Sequence, residues 1–331
     1  MGEFEFLVKL RERLPEDGHQ VKLGSGDDAA VTVPAGATAT SVDAIVEGVH
    51  FRREETTPHA IGRKALATAL SDLAAMGAEP GEAYVVVGAP PNLGEEELLA
   101  LLDGLLELAG ETRTTLAGGD VTRAPVLMLA VTVVGHAGRP EELVGRGGGE
   151  AGEVLVVTGE LGGAAAGRLL LDDPSLAKAV PEATAARLRA RQLDPSPRLR
   201  SGRALAEAGA SAMIDLSDGL AGDAGHVAAA SGVALRIDAA SLPLAPGVAE
   251  IAAAAGRDPL ELAAAGGEDY ELLAALPADA LTRASTQFGA AAEAQLTTIG
   301  EAAPGRGVEI RLPGGGLLEA RAYDHFAASG D

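Results

Sequence analysis

Several aspartates of this sequence have neighbours among which a carboxylate is unusual. Asp72 lies within the largely apolar stretch Ala65–Met76, and Asp43 comes late in an otherwise apolar run. A charge among apolar side chains needs a partner or a metal ion. An isolated aspartate is more often a helix cap or a turn residue, so the inference depends on the whole set.

The other members of the set stand beside glycine at the ends of predicted strands. They are Asp27 and Asp28 after Gly24-Ser25-Gly26, Asp120 after Gly118-Gly119, and Asp215 and Asp218 around Leu216-Ser217. Glycine lets the backbone approach a ligand closely. Since no comparable set of lysines or arginines accompanies these acids, they indicate several hard cations held by carboxylate oxygens. Mg²⁺ takes few protein oxygens together with phosphate oxygens, which suits a nucleotide site.

The common nucleotide and hydrolase motifs are missing from the sequence. There is no G-x-x-x-x-G-K-[ST] phosphate loop, no H-E-x-x-H and no G-x-S-x-G. The segment 145–149 (GRGGG) resembles a phosphate loop only loosely, and a flexible linker explains it about equally well. Among the six histidines, His50 is distinctive because it follows the strand that contains Asp43.

Composition excludes several classes of protein. With 48 acidic and 26 basic side chains, the formal net charge is -22. Such a surface repels nucleic-acid backbones and anionic membranes, so neither is an expected partner. Aromatic residues make up only 2% of the chain, which removes the stacking platforms of single-strand binders. The core must instead be built from alanine, leucine and valine.

Cysteine and targeting signals are also missing. The chain has no cysteine, which excludes disulfides, thiolate zinc sites and thiol nucleophiles. No basic segment followed by an apolar one opens the sequence, and no uninterrupted apolar stretch approaches 18 residues. We therefore expect a cytoplasmic protein without membrane spans.

The elements that must position the acids form two predicted domains. Residues 138–153 are rich in glycine and charge, and they separate an N-terminal domain over 1–140 from a C-terminal domain over 150–331. Strands and helices alternate in both, which predicts an α/β domain followed by an α+β domain. The predicted strand Val126–Val134 is apolar at every position but Thr132, so both of its faces require cover.

Taken in order, these pieces resemble the thiamine-monophosphate kinase family, within the aminoimidazole-ribotide synthetase-like superfamily. The matching stretches span nearly the whole chain, and their order makes the resemblance specific. They are GSGDDAAV (24–31), SVDAIVEGVHF (41–51), RKALATALSDLAAMGAEP (63–80), LAGGDVTRAP (116–125), IDLSDGLAGDAGHVA (214–228), GGEDYELL (266–273) and AYDHF (322–326).

The resemblance implies a set of Mg²⁺ ligands around the phosphates of ATP. The metal-binding positions would be Asp27 or Asp28, Ser41, Val42, Asp43, Asp72, Asp120, Asp215 and Asp218. Of these, Asp43, Asp72, Asp120 and Asp218 would be directly engaged in the transfer of the phosphoryl group. Position 42 is Val where the family often has Thr, so a metal contact there must use the backbone carbonyl. Position 69 is Ala where Asn is usual, and no carboxylate is lost.

The resemblance also implies contacts to both substrates. ATP would be contacted by Gly119, Asp120, Arg146 and Ser217. Thiamine monophosphate would be contacted by His50, Glu268 and a C-terminal aromatic residue, Tyr323 or Phe326. The implied reaction makes thiamine diphosphate by Mg²⁺-assisted phosphoryl transfer. The acceptor phosphate is already ionised near neutral pH, so no strong general base is needed.

The implied assembly is a homodimer in which the N-terminal sheet pairs with that of a second subunit. Two alternatives are another ATP-using enzyme of the same superfamily and a non-catalytic module that binds nucleotide. The superfamily members that depend on cysteine are disfavoured because this sequence has none. The number of intact carboxylates disfavours a sensor, which does not need so many metal ligands.

Overall fold

The chain forms two compact units in the computed structural model, which describes residues 9, 12–14, 18, 20–25, 29–291 and 294–318. The first unit comprises Met1–Ala74 and Ala78–Leu143, and the second comprises Ala75–Gly77 and Val144–Asp331. Both combine helices with a sheet. Within the described part of the chain, no helix is long and apolar enough to cross a membrane.

In the part of the first unit that the structure describes there are six strands and two α-helices. The strands are β1 (Val21–Leu23), β2 (Val31–Thr32), β3 (Ala37–Val46), β4 (Glu79–Ala89), β5 (Thr115–Arg123) and β6 (Met128–Ala137). The helices are α1 (Pro58–Ala75) and α2 (Glu95–Thr112).

Helix α1 is the buried element of the first unit. The sequence predicts its start at Thr57-Pro58, and the amide of Ala60 donates to the Thr57 hydroxyl at 3.2 Å, as an N-cap requires. The side chains of Leu66 and Leu70 are fully buried. Helix α2 crosses α1 so closely that a Cβ at Gly62 would lie 1.9 Å from the Leu101 carbonyl oxygen. Glycine is therefore required at this crossing.

The four-stranded sheet of the first unit has the order β3-β6-β4-β5. Strand β6 is antiparallel to β3 and β4, whereas β4 and β5 are parallel. Residues alternate between the two faces of each strand. In β6, Leu129, Val131 and Val133 are at most 1% exposed, whereas Ala130 and Thr132 between them are partly exposed.

Within the described part of this chain the sheet therefore has one covered face and one open face, so cover for the second face of Val126–Val134 stays a prediction. The strand begins at Met128, and over 128–134 only alternate side chains are buried within this chain. On the open face the neighbouring strands expose Val42 (67%) and Val86 (39%). Because the predicted strand is apolar at every position but Thr132, its sequence did not indicate which face of the sheet the helices cover.

Among the described residues of the second unit there are six strands and seven α-helices. The strands are β7 (Val154–Thr158), β8 (Ala212–Asp215), β9 (Ala234–Asp238), β10 (Leu272–Leu276), β11 (Leu296–Ala303) and β12 (Gly307–Arg311). The helices are α3 (Gly163–Asp172), α4 (Glu182–Leu193), α5 (Leu199–Ala208), α6 (Leu220–Ser231), α7 (Val248–Ala254), α8 (Pro259–Ala265) and α9 (Ala278–Ala291).

The sheet of the second unit has the order β12-β9-β11-β7-β10-β8 and is antiparallel except between β9 and β12. Every residue of β10, an interior strand next to the edge strand β8, is buried. One core cluster joins Leu155 and Leu273 of the sheet to Val227 of α6. A second cluster joins α3, α4 and α7 through Leu170, Leu188 and Ile251. Strand β8 lies at the edge of the sheet, so its outer side is available to the segment that precedes β7.

Candidate active site

In the first unit, β3 and α1 bring a hydroxyl and a carboxylate together. The Ser41 hydroxyl donates a hydrogen bond to Oδ2 of Asp72. Asp43 lies two residues beyond Ser41 and pairs with the buried Val131, so its side chain projects from the same, helix-covered face of the sheet. Its Oδ1 accepts the amide of Ala44 at 2.7 Å. The structure thus groups three of the predicted ligands on one face.

Asp120 lies on the other face of this sheet. It pairs with the exposed Val86, whereas its neighbour Gly119 pairs with the buried Val85. The structure therefore does not bring Asp120 together with Asp43 and Asp72. At Gly119 a Cβ would lie 2.1 Å from the Val85 carbonyl oxygen, which makes glycine necessary for the pairing of β4 with β5.

His50 belongs to a tight turn that follows β3. Its Nδ1 accepts the amide of Val46 at 3.1 Å, so this nitrogen must be unprotonated and the neutral ring carries its proton on Nε2. The backbone carbonyl of His50 accepts a hydrogen bond from Nζ of Lys64 at 3.1 Å. Lys64 is only 1% exposed, and the sequence analysis did not single it out. The side chain of Val42, by contrast, is exposed on the open face.

In the second unit, the end of β8 and the start of α6 carry a cluster of acids. Asp215 is 5% exposed, and Asp218 follows in the turn before α6. Asp223 in the first turn of α6 is 2% exposed, and its Oδ2 accepts the amide of Asp218 at 3.2 Å. Burial, together with the neighbouring Asp215 and Asp218, raises the pKa of Asp223 to about 8.

Asp223 is a residue that the sequence analysis missed. It lies in the apolar stretch LAGDAGHVA, so it meets the same criterion as Asp72, a carboxylate among apolar neighbours. Across the residues that the structure describes, no three histidine, aspartate or glutamate side chains meet closely enough to hold a metal ion by themselves.

The GGEDYELL stretch runs beside this acidic turn in an unusual conformation. The amide of Glu268 donates to the Ser217 carbonyl at 2.8 Å, and the amide of Tyr270 donates to that of Leu216 at 2.9 Å. The φ angles of Glu268 and Tyr270 are 56° and 50°, in the left-handed region. Such positions cost non-glycine residues about 1–2 kcal/mol each and are concentrated at functional sites.

The acid that follows Glu268 occupies a helix N-terminus. Asp269 accepts the amides of Gly162 at 2.7 Å and Ala164 at 3.1 Å, where α3 begins. Burial raises the pKa of Asp269 to about 6, even though Arg191 and the two amides act in the opposite direction. The glycine-rich start of α3 is therefore satisfied by a side chain of this protein rather than left open for a phosphate.

Arg146 lies in the segment 145–149, which follows the outer edge of β8. The amide of Met213 donates to the Gly145 carbonyl at 2.9 Å. The Ser231 hydroxyl donates to the Arg146 carbonyl at 3.1 Å and accepts the amide of Gly149 at 3.0 Å. These bonds favour a positioned loop over the flexible linker, and they leave the side chain of Arg146 exposed.

Four predicted site residues lie outside the described part of the chain. They are Asp27 and Asp28, in the connection between β1 and β2, and Tyr323 and Phe326 near the C-terminus.

Known proteins resemble both units of this chain. Residues 26–137 match the family model for the N-terminal domain of AIR synthase related proteins, and residues 150–313 match the model for their C-terminal domain. The thiamine-monophosphate kinase of Mycobacterium tuberculosis is 40% identical over 281 residues, which cover 83% of this chain and 80% of that protein.

Solved structures agree with these matches. The thiamine-monophosphate kinase of Stenotrophomonas maltophilia K279a superposes with a TM-score of 0.81 at 37% identity, over 95% of this chain and 98% of that one. A structure of AaThiL complexed with AMPPCP and TMP superposes with a TM-score of 0.76 at 27% identity, over 98% and 97% of the two chains. Because the identity extends over most of both chains, this chain belongs to the thiamine-monophosphate kinase family.

Proposed function

We propose that this protein transfers the γ-phosphoryl group of ATP to thiamine monophosphate, giving thiamine diphosphate and ADP. The observation that carries the proposal is the 40% identity to a thiamine-monophosphate kinase over most of the chain. A structural relative that binds AMPPCP and TMP supports the choice of both substrates. In this reaction the bond between the γ-phosphorus and the bridging oxygen breaks, and an oxygen of the acceptor phosphate forms the new bond.

The acids of the protein fit Mg²⁺ in their chemistry. In the first unit, Ser41 and Asp43 on the helix-covered face of the sheet and Asp72 on α1 offer one hydroxyl and two carboxylates. In the second unit, Asp215 and Asp218 would be the ligands. When bound, Mg²⁺ would neutralise the charge on the phosphate oxygens. Val42 would contribute its backbone carbonyl, since its side chain is apolar. The ligand roles of Asp27 or Asp28 and of Asp120 remain part of the proposal.

The remaining residues would bind and orient the two substrates. Gly119, Asp120, Arg146 and Ser217 would contact ATP, and the exposed guanidinium of Arg146 would face charge that develops on the transferred group. His50 would present Nε2–H, its protonated nitrogen, to the acceptor phosphate. Glu268 and either Tyr323 or Phe326 would hold the thiamine part. Phosphoryl transfer then depends on positioning and charge, so no general base is required.

We also propose that the protein is a homodimer through the open face of the first unit's sheet. The exposed valines at positions 42 and 86 support this, because burying them against a second copy would remove apolar surface from water. A second copy of the sheet would supply the cover that the sequence pattern calls for.

The test of the activity is chromatographic detection of thiamine diphosphate after incubation with Mg-ATP and thiamine monophosphate. Unphosphorylated thiamine serves as the control acceptor. We expect product from the monophosphate and none from thiamine. Turnover of thiamine alone would contradict the proposal.

A further inference from the structure

The side chain that holds Glu268 comes from helix α4. The amide nitrogen Nε2 of Gln192 donates a hydrogen bond to Oε2 of Glu268. The backbone of Glu268 is fixed separately, by its left-handed φ of 56° and by the bond from its amide to the Ser217 carbonyl. Backbone and carboxylate are thus held by two different parts of the second unit.

Gln192 occupies a position where the helix pattern favours an apolar residue. Ala185, Leu188 and Gln192 are the buried residues of α4, and their spacing places them on one face of the helix. Gln192 is only 4% exposed. A buried amide that lost its hydrogen bonds would cost about 1–3 kcal/mol. Packing alone therefore does not explain why position 192 carries an amide.

The backbone at Gln192 is closely constrained by α3. A Cβ at Gly167 of α3 would lie 2.1 Å from the Leu188 carbonyl oxygen and 3.1 Å from the Cβ of Gln192. The two helices consequently touch beside Gln192, and its amide has little freedom to move away from Glu268.

Arg191, the residue before Gln192, contacts the other end of the loop that contains Glu268. Arg191 donates to Oε1 of Glu271 at 3.1 Å, and Arg198 donates two further bonds to this carboxylate at 2.6 and 2.7 Å. Glu271 has no exposed surface. Because adjacent residues of α4 hold Glu268 and Glu271, the last turn of this helix sets the geometry of the whole loop.

We propose that Gln192 is a positioning residue that orients the carboxylate of Glu268 toward thiamine monophosphate. This rests on the proposed function, in which Glu268 contacts that substrate. The Gln192 amide donates to one oxygen of the Glu268 carboxylate, which can only accept, so the group that this carboxylate recognises is a hydrogen-bond donor or a cation. Thiamine offers both, in its aminopyrimidine and its thiazolium ring.

The test replaces the amide without creating a cavity. Gln192→Met keeps the length of the side chain and removes the donor. We expect the KM for thiamine monophosphate to rise about tenfold, the effect of losing one charge-assisted hydrogen bond. The kcat and the KM for ATP should stay within about threefold, since the transferred group is not touched. Arg189→Met, on a partly exposed position of the same helix, is the matched control and should change none of these constants.

A double-mutant cycle with Glu268→Gln completes the test. If Gln192 acts through Glu268, the effect of Glu268→Gln on KM should shrink by at least about fivefold in the Gln192→Met background. Independent, multiplicative effects would overturn the inference, as would an unchanged KM in Gln192→Met. A normal KM in Glu268→Gln would overturn it while the kinase activity stood. A wild-type protein that makes no thiamine diphosphate would overturn both proposals.

Discussion

At the scale of single residues, the candidate site consists largely of carboxylates, and two of them, Asp72 and Asp223, lie among apolar neighbours. Asp72 was selected from its apolar neighbours, and the structure places it against Ser41. Asp223 satisfied the same criterion and was overlooked. The sequence did not show from which face of the sheet each side chain projects. Only the pairing of the strands shows that Asp120 and Asp43 lie on opposite faces. Residue type and sequence neighbours predict that a carboxylate needs a partner, whereas the identity of that partner depends on tertiary contacts.

The first prediction concerns Asp72. Asp72→Asn keeps an oxygen that can accept from Ser41 but removes a charge from the proposed metal site. Turnover at saturating Mg²⁺ should fall by about two orders of magnitude or more, while the melting temperature without ligand holds or rises. Asp103→Asn, an exposed acid of α2, is the control and should keep full activity. A destabilised but active Asp72→Asn would show that Asp72 is a structural acid.

The second prediction concerns pH and Asp269, whose pKa is raised to about 6 from an ordinary 3.8. The folded state then binds more protons than the unfolded state between about pH 4 and 6. Stability from this group is present at low pH and is lost as the pH rises through 6. Asp269→Asn keeps one acceptor oxygen for the amides of α3 and does not titrate, so its stability relative to wild type should increase from pH 4 to 6 by at most about 1.4 kcal/mol per pH unit.

Denaturant unfolding at several pH values measures this difference. Asp173→Asn is the matched control, because hydrogen bonds from Ser175 lower the pKa of Asp173 and confine its effect to more acidic solution. A difference between wild type and Asp269→Asn that stays flat from pH 4 to 6 would contradict the assignment.

At the scale of elements, periodicity predicted the buried strands and helices well. The start of α1 is confirmed, since a Thr-Pro cap is a strong local signal. The left-handed turns at Glu268 and Tyr270 could not be predicted, because nothing local favours that conformation in a non-glycine residue. These turns are held by long-range bonds, above all those around Glu271.

The third prediction therefore removes the anchor of this loop. Glu271→Ala leaves Arg191 and Arg198 without their shared carboxylate in a nearly buried place. The free energy of unfolding should fall by about 3 kcal/mol, at the lower end for broken buried pairs because both arginines are 18% exposed. Asp172→Ala, which breaks an exposed pair with Arg168, should cost less than about 0.5 kcal/mol. Equal losses of unfolding free energy in Glu271→Ala and Asp172→Ala would contradict the role of Glu271 in holding the loop.

At the scale of the whole molecule, the order of motifs identified the family, and the matches to known proteins confirm it. The net charge of -22 means that a bound polyphosphate would have to be neutralised locally. Composition did not show which face of the first sheet is open. That face, with its exposed valines, is where the assembly of two chains is to be tested.

The fourth prediction concerns this assembly. Light scattering should give about twice the chain mass of 33.1 kDa. Val42→Asp places a charge in the proposed interface and should yield monomers at micromolar concentration. Leu317→Asp changes an equally exposed apolar residue of the second unit and should leave the dimer intact. A wild-type protein that is cleanly monomeric at micromolar concentration would refute the dimer.

The most direct measurement of the central claim is product analysis with the unaltered protein. Thiamine monophosphate and Mg-ATP are incubated with the protein, and thiamine diphosphate and ADP are quantified by chromatography. The account predicts the two products in equal amounts, none when thiamine replaces its monophosphate, and none when Mg²⁺ is removed by a chelator. ADP released without thiamine diphosphate, or thiamine accepted in place of its monophosphate, would contradict it.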